Sequence, residues 1–373
     1  MGVFVNYCAG MVLNVMPAHT PEALLINPLQ YASRESEIRA TLRMFNVTQP
    51  KYVMLDSGGY QLFKLASKVG VTVTYDRSKK MIYTNNEVNH TPYHVINIAP
   101  ILKPSSAISY IVTALDLPVP KISNPNDPYV EFMRKLGFNL VWMRETSILR
   151  QHYCPQFELF IPIQAYTLDQ FCDYIEKPLL ELNFNGLSLP TRNLGPGGIT
   201  LFLIKFYQIG VRKVHLLSVS NFTGLAVAAY FARNIFDWCS VDATSWRLHA
   251  DNLVYMDPKD LHGIPVGRDA RFREGEKPDC DCPWCRGKTF SDIKNIPDTD
   301  ERAFLRNHNY YVVEKAGREF YDNSSDLVTL ERCLRRRGAR YAKRVDELIT
   351  ALSIATFMRG EDIRVLEGML WQL

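Results

Sequence analysis

The sequence predicts the α/β class, with parallel strands alternating with helices, and three observations predict it. Short apolar runs recur along the chain and end in polar or small residues, at 23–27, 52–56, 110–116, 140–145, 159–164, 186–189, 214–218 and 239–242. Apolar residues at helical spacing fill segments between several of these runs, as at 168–182, 200–209 and 223–236. Eight candidate strands over about 220 residues match the number and span of a TIM-type (β/α)8 barrel.

A barrel of that type builds its active site at the carboxyl ends of its strands. Taken in chain order, the 52–56 run ends in Asp56, 110–116 in Asp116, 159–164 in Gln164 and 239–242 in Asp242. Any one of the four serves equally well as a cap for the loop or helix that follows it. Four polar residues at equivalent strand ends point to chemistry. From residue 250 onward the composition changes: Pro258, Pro265 and Pro278, with Gly263, Gly267 and Gly275, mark a loop-rich stretch. Beyond it, 326–352 and 353–372 have helical spacing. The expected organisation is a catalytic barrel over 1–250, a cysteine-bearing region over 251–315, and C-terminal helices packed on the barrel over 316–373.

With 373 residues, 47% hydrophobic and 22% charged, the chain can bury a large core and is composed like a soluble globular enzyme. Dominant disorder is excluded. No apolar run approaches the ~20 residues needed to span a bilayer. The opening Met1-Gly2-Val3-Phe4-Val5-Asn6 lacks the basic and apolar regions of a secretory signal, and Asn6 breaks the myristoylation pattern. A cytoplasmic protein without a membrane partner is expected. The net charge of +4 is compatible with nucleic acid but does not argue for it, because distribution matters more than sum.

The cysteines are informative by position. Cys8, Cys154, Cys172, Cys239 and Cys333 are scattered, whereas Cys280, Cys282 and Cys285 form a tight C-x-C-x2-C. A disulfide framework is unexpected in a chain of this length without a secretory signal. Three thiolates in one turn are soft ligands for a tetrahedral zinc ion, which needs a fourth sulfur or nitrogen. His308, in Arg306-Asn307-His308-Asn309-Tyr310, is the best candidate, with His262 the runner-up. A Cys3His set has no open coordination position, so the zinc would staple the loop rather than catalyse.

The segment Asp56-Ser57-Gly58-Gly59-Tyr60-Gln61 follows an apolar strand directly. Paired glycines beyond a strand-end carboxylate let the backbone approach a flat ligand. Together with the cysteine pattern, the hexapeptide makes the chain resemble the tRNA-guanine transglycosylase family over residues 50–315. The signatures of that family are D-S-G-G-[FY]-Q and C-x-C-x2-C with a distal histidine. Leu115-Asp116-Leu117-Pro118 is similar to its base-recognising strand end, Pro162-Ile163-Gln164-Ala165 to its V-Q-G, and Gly186-Leu187-Ser188 to its G-G-L-A-V-G. Val241-Asp242-Ala243-Thr244-Ser245-Trp246 resembles the nucleophile segment in its archaeal-type form, F-D-S-A-S-Y, and His308-Asn309-Tyr310 resembles the H-N-L-Y around the zinc histidine.

The resemblance implies a pentosyl transfer, in which guanine in a nucleic acid is exchanged for a 7-deazaguanine of the preQ0 or preQ1 type. Remaking an N-glycosidic bond with retention takes two inversions through a covalent sugar intermediate, hence a carboxylate nucleophile and a separate acid/base. By resemblance Asp242 attacks C1′, and Asp56 handles the protons of the departing and incoming bases. Asp116 accepts from the N1–H and amine edge of the base, and Gln164 with the Gly186 and Leu187 backbone addresses its carbonyl. Tyr60 stacks on the ring, beside the Ser57-Gly58-Gly59 turn. The target nucleotide must leave its stack to reach such a pocket.

The chain also departs from the tRNA enzymes. Its opening segment through Met11-Val12-Leu13-Asn14 does not resemble their N-terminal hairpin, the bacterial F-D-C-V-x-P-T-R is absent, and Ala165 replaces the glycine after the glutamine. That combination is more similar to the paralogues of phages and bacterial modification islands that place 7-deazaguanines in DNA. DNA is therefore expected over tRNA as the polymer. A tRNA enzyme, a non-catalytic partner subunit and a barrel glycoside hydrolase are the alternatives; retention of Asp56 and Asp242 counts against the second, and the base-type pocket and cysteine loop against the third. Dimers are common among the tRNA relatives, which makes a homodimer a candidate assembly and leaves the oligomeric state open.

Arg332, Arg335, Arg336, Arg340, Lys343 and Arg344 recur at short intervals in the expected 326–352 helix. Three- and four-residue spacing gathers such residues on one side, as a stripe for phosphate oxygens. Glu331, Asp346 and Glu347 offer the alternative of a solvated, charge-balanced face. Arg268, Arg271, Arg273, Arg286 and Lys288 flank the cysteine loop as a second basic patch. Neither patch tells DNA from RNA, because phosphate contacts position without specifying.

Overall fold

The computed structural model describes residues 2–8, 21–27, 39, 42–43, 45–58, 73–76, 81–84, 91–102, 107–118, 128–175, 179, 182–192, 194–296 and 298–373. The strands described are β1 (Val3–Cys8), β2 (Ala23–Ile26), β3 (Tyr52–Leu55), β4 (Val73–Asp76), β5 (Met81–Thr84) and β6 (Ser109–Thr113). They continue with β7 (Glu158–Pro162), β8 (Gly186–Pro190), β9 (Lys213–Leu217), β10 (Trp238–Ala243), β11 (Val254–Met256) and β12 (Gly263–Pro265). Eight of them close into a parallel barrel in the order β1-β10-β9-β8-β7-β6-β3-β2. β4 pairs with β5, and β11 with β12, as antiparallel two-stranded sheets. With helices following the barrel strands, this is the TIM-type (β/α)8 architecture that the alternation predicts.

One predicted strand is in the wrong place. The run 140–145 lies inside the 26-residue helix Pro128–Tyr153. Phe132, Leu136, Asn139, Met143, Ser147 and Arg150 are all buried along it, a three-and-four spacing that belongs to a helix face. A six-residue apolar run does not distinguish the two structures by itself. The missing barrel strand is β1, where Val3, Phe4, Val5 and Tyr7 supply the β-branched and aromatic side chains that fit a pleated sheet.

Contacts divide the chain into two compact units, Glu22–Asn193 and a discontinuous unit made of Met1–Pro21 with Leu194–Leu373. In the first, β2, β3, β6, β7 and β8 pair in sequence, with Leu25 beside Met54, Val53 beside Tyr110, Val112 beside Leu159 and Ile161 beside Leu187. Their near-continuous apolar runs are buried, as parallel strands covered on both faces require. The helix Leu168–Ile175 buries Leu168, Phe171 and Tyr174.

In the second unit β10 pairs with both β1 and β9, which sets Tyr7 beside Asp242 and His215 beside Ser240. The helix Phe222–Asn234 starts where the Asn221 side chain accepts the Gly224 N–H at 2.7 Å. It packs against β10 and against the helix Asp298–Asp322. The two long C-terminal helices expected at 326–352 and 353–372 are three instead: Leu327–Arg337, Ala342–Phe357 and Ile363–Leu370. The first break falls at Gly338, where a Cβ would come within 2.9 Å of the Phe222 ring. The latter two helices pack on the helix Pro196–Gln208. Among the described residues, no helix is long and apolar enough to cross a membrane.

Candidate active site and metal centre

In the 22–193 unit the strand-end residues gather into one hydrogen-bonded group. Asp116 is three residues past β6 and buried. One carboxylate oxygen accepts the Ser57 hydroxyl at 2.5 Å, and the other accepts the Gln164 side-chain amide. Burial pushes the Asp116 carboxyl above its usual range, against the opposing effect of those two hydrogen bonds. The Gln164 carbonyl oxygen is buried without a partner, as is the hydroxyl of Ser188 on β8. Gly186 and Leu187 lie on the same strand and are buried too. The group therefore combines a carboxylate engaged through both oxygens with two buried polar atoms, Gln164 Oε1 and Ser188 Oγ, that have hydrogen-bonding capacity left.

Two asparagines hold this group. Asn27, just past β2, donates to Asp56 Oδ2 at 2.7 Å. Asn139 accepts the Leu117 N–H at 2.7 Å and donates to the Leu117 carbonyl at 3.2 Å and to Tyr174 Oη at 3.0 Å. Asn139 belongs to the helix misread as a strand, so that helix is what clamps the Asp116 loop. Gly58 has φ +75°, a left-handed conformation that lets the chain turn directly after Asp56 and Ser57. Gly59 and Tyr60 lie outside the described residues.

In the other unit Asp242 sits in β10, one residue before its end. Its Oδ1 accepts the Ser218 backbone N–H at 2.9 Å and lies 3.2 Å from His215 Nε2. Ser218 has φ +64°, an uncommon conformation for a residue with a side chain, and it follows β9 directly. Sequence reasoning missed His215 and Ser218. The signal available was the polar pair flanking Leu216-Leu217 at the end of an apolar strand.

The three cysteines and His308 converge. His308 Nδ1 is 3.6 Å from Cys280 Sγ, 3.5 Å from Cys282 Sγ and 3.3 Å from Cys285 Sγ. A tetrahedral ion with sulfur at about 2.3 Å and nitrogen at about 2.0 Å has an S···N edge of about 3.5 Å, so the four atoms fit one ion. His308 Nε2 lies 2.8 Å from the Met256 carbonyl and donates to it, which leaves the Nδ1 lone pair facing the thiols. The Cys282 and Cys285 backbone N–H groups point at Cys280 Sγ and Cys282 Sγ, at 3.4 and 3.3 Å. Without an ion, hydrogen bonds within the triplet, from Cys280 first, push the Cys282 thiol down and the Cys285 thiol up. The Tyr255 ring stacks on His308 at 3.8 Å between centroids. Asn309 beside it accepts the Met256 N–H at 2.9 Å and donates to the Trp246 and Val254 carbonyls at 3.1 and 3.0 Å. His262 faces Asp260 at 2.5 Å and Asp257 at 3.8 Å instead of the cysteines.

The basic residues split. Because the chain breaks at Gly338, Arg332, Arg335 and Arg336 lie on one helix, Arg340 in the connecting turn, and Lys343 and Arg344 on the next. Helical periodicity therefore does not join them into a single stripe. Arg335 is paired with Glu331 and Asp346, both at 2.7 Å, and Arg336 with Glu319 at 2.8 Å. Arg332 is exposed, Lys343 reaches Glu347 only at 3.8 Å, and Arg344 lies over the Tyr341 ring. Arg340 is 3.9 Å from Asp260. Beside the cysteine turn Arg286 is exposed and Lys288 half-buried.

Fold and site together define a parallel (β/α)8-barrel protein with carboxylates at its strand ends and a four-ligand cluster able to hold a metal ion. No protein-family model matches the chain. It is similar to the tRNA-guanine(15) transglycosylase of Pyrococcus abyssi (strain GE5 / Orsay), with 23% identity over 220 residues, 55% of this chain and 32% of that protein. It is also similar to the tRNA-guanine(15) transglycosylase of Thermococcus kodakarensis (strain ATCC BAA-918 / JCM 12380 / KOD1), with 21% identity over 278 residues, 70% of this chain and 38% of the relative. The relationship to guanine transglycosylases is distant, and the matched region spans 32% and 38% of these curated relatives.

Proposed function

We propose that the chain is a guanine transglycosylase that exchanges guanine in DNA for a 7-deazaguanine through a covalent aspartyl-sugar intermediate. The observation that carries the proposal is the buried Asp116 locked to Ser57 and Gln164, with the Gln164 carbonyl oxygen left over. That set matches the donor–acceptor edge of a purine, and the two similar proteins are named for guanine exchange. In this scheme Asp242 is the nucleophile and Asp56 the acid/base. Asp116, Gln164 and the Gly186–Leu187 backbone read the base, the Ser57-Gly58-Gly59 turn lines it, and Tyr60 stacks on it. The 1–250 part acts as the catalytic barrel, 251–315 as the zinc-binding region and 316–373 as supporting helices.

Zinc is the ion proposed for Cys280, Cys282, Cys285 and His308, because three thiolates and an imidazole suit it best. When bound it would fix the cysteine turn to the helix carrying His308 and supply no open position for chemistry. Arg332, Lys343, Arg344, Arg286 and Lys288 would approach phosphates directly, and Arg335, Arg336 and Arg340 would do so only by leaving their acidic neighbours.

The names of the similar proteins favour a second reading, exchange in tRNA. Purified protein offered labelled guanine or 7-deazaguanine with duplex DNA, single-stranded DNA and tRNA in separate reactions decides between them. Incorporation into DNA alone is expected. Incorporation into tRNA alone assigns the chain to the RNA reaction. No incorporation in any reaction, with folded and metal-loaded protein, removes the transglycosylase assignment. Asp242→Asn should abolish exchange while leaving the metal content unchanged.

A further inference from the structure

We infer that His215 is a positioning residue for Asp242: it holds Oδ1, leaves Oδ2 to make and break the bond to the sugar, and speeds release of the sugar from the carboxylate. The inference deepens the transglycosylase proposal and rests on it.

The ring of His215 is wholly buried between two polar groups. Its Nδ1 is 3.0 Å from Ser240 Oγ, and its Nε2 is 3.2 Å from Asp242 Oδ1, a close polar contact without hydrogen-bond alignment in this geometry. The Tyr7 ring meets it edge-on at 5.9 Å. Ser240 is compatible with either tautomer, and the Asp242 carboxylate biases the choice. Its oxygen already accepts the Trp238 indole N–H at 3.2 Å, so its single proton goes either to His215 Nδ1 at 3.0 Å or to the Val214 carbonyl at 3.5 Å. The carboxylate beside Nε2 favours the ring proton on that nitrogen, and Ser240 then donates to Nδ1. The opposite tautomer would set the Nε2 lone pair against a carboxylate oxygen in a buried site, which is repulsive.

Asp242 Oδ1 thus accepts the Ser218 N–H, held in place by a left-handed backbone, and has His215 Nε2 3.2 Å away, within reach to donate to it. No contact engages Oδ2 among the described residues. In the first displacement an Oδ2 lone pair forms the bond to C1′, the C1′–N9 bond breaks, and its electron pair leaves with guanine, which takes a proton from Asp56. In the second, N9 of the incoming base attacks C1′ and returns its proton to Asp56, while the C1′–Oδ2 pair returns to Asp242. Donors on Oδ1 stabilise the carboxylate as that charge reappears. Taking one away should slow breakdown of the glycosyl-enzyme more than its formation.

The experiment compares His215→Leu, His215→Gln and wild type, with thermal unfolding and metal content as checks on the fold. The Gln side-chain amide can take the place of Nε2–H, and Leu cannot. Offered DNA or tRNA without free base and then chased with 7-deazaguanine, the Leu variant should retain a denaturant-stable protein–nucleic acid adduct. Its release should be about ten- to a hundredfold slower, the range expected for a lost hydrogen bond to a charged group. kcat/KM for the nucleic acid should be unchanged while kcat and KM fall together, and His215→Gln should recover most of the release rate. Equal slowing of both steps, or equal loss in Leu and Gln, overturns the inference. A second readout needs no turnover: in ¹⁵N-histidine spectra, the resonance missing from His215→Gln should be that of a ring carrying its proton at Nε2. A ring protonated at Nδ1 overturns the inference, even if wild type turns out to exchange nothing and the transglycosylase proposal fails on its own.

Discussion

Replacing Cys282 by serine takes one thiol from the four groups proposed to hold zinc. Cys282 is fully buried, its sulfur lies 3.5 Å from His308 Nδ1, and it also accepts the Cys285 N–H at 3.3 Å. Complete cysteine–histidine sets bind zinc by about 10–16 kcal/mol in small domains. Shared over four ligands, one thiolate carries about 2.5–4 kcal/mol, which weakens the zinc Kd about a hundred- to a thousandfold. The loss should also loosen the small core in which Cys282 and Cys285 pack with Val266, Phe290, Ile293, Phe304 and Leu305. Competition against a chromophoric chelator measures the Kd, and thermal unfolding measures the loosening. Cys333→Ser is the control, a buried cysteine outside the cluster that contacts Glu319. A Cys282→Ser Kd within threefold of wild type, or an equal weakening in Cys333→Ser, would refute the ligand assignment.

Other perturbations have equally definite outcomes. Asn309→Ala strands the Met256 N–H and the Trp246 and Val254 carbonyls, and should cost about 3–5 kcal/mol in denaturant unfolding. A loss under about 1 kcal/mol would mean that water replaces the amide. Burial raises the Asp116 carboxyl, so its contribution to stability is full below the unfolded carboxylate value and fades as pH rises through the folded one. The melting temperature of Asp116→Asn should therefore gain on wild type from about pH 4 upward. A gap that does not change with pH would contradict the burial argument. Removing Arg332 and Lys343 together should lower the salt slope of duplex DNA binding by up to about 0.9 per lost phosphate contact. An unchanged slope would place the nucleic acid elsewhere.

What the sequence revealed follows from how local each signal is. A parallel barrel strand is buried on both faces, so β2, β3, β6, β7, β8, β9 and β10 stand out as apolar runs. β1 carries the polar Asn6 in its middle and does not stand out as an apolar run, while the Leu140–Glu145 stretch mimics a strand because its helical partners lie outside a six-residue window. The metal cluster was legible because three of its ligands sit in one turn and the fourth is a histidine in a short downstream window. The supports were not. His215, Ser218, Asn139 and Asn309 act through residues far away in the sequence, and a local pattern, even the polar pair around Leu216-Leu217, does not say which partner each reaches. The expected arginine stripe failed for a related reason, since the packing that forbids a side chain at Gly338 comes from Phe222.

The pairing of β1 with β10 sets a schedule for the chain as it is made. β1 ends at Cys8, whereas β10 covers Trp238–Ala243. At ordinary translation rates the first strand precedes its partner by roughly ten to fifty seconds, a long wait for a segment with an open backbone edge. Its other tether comes later still, when Tyr321 donates its hydroxyl proton to the Gly2 carbonyl. The β1–β10 seam can therefore form only after residues 238–243 have been made, so this part of the barrel closes late in synthesis.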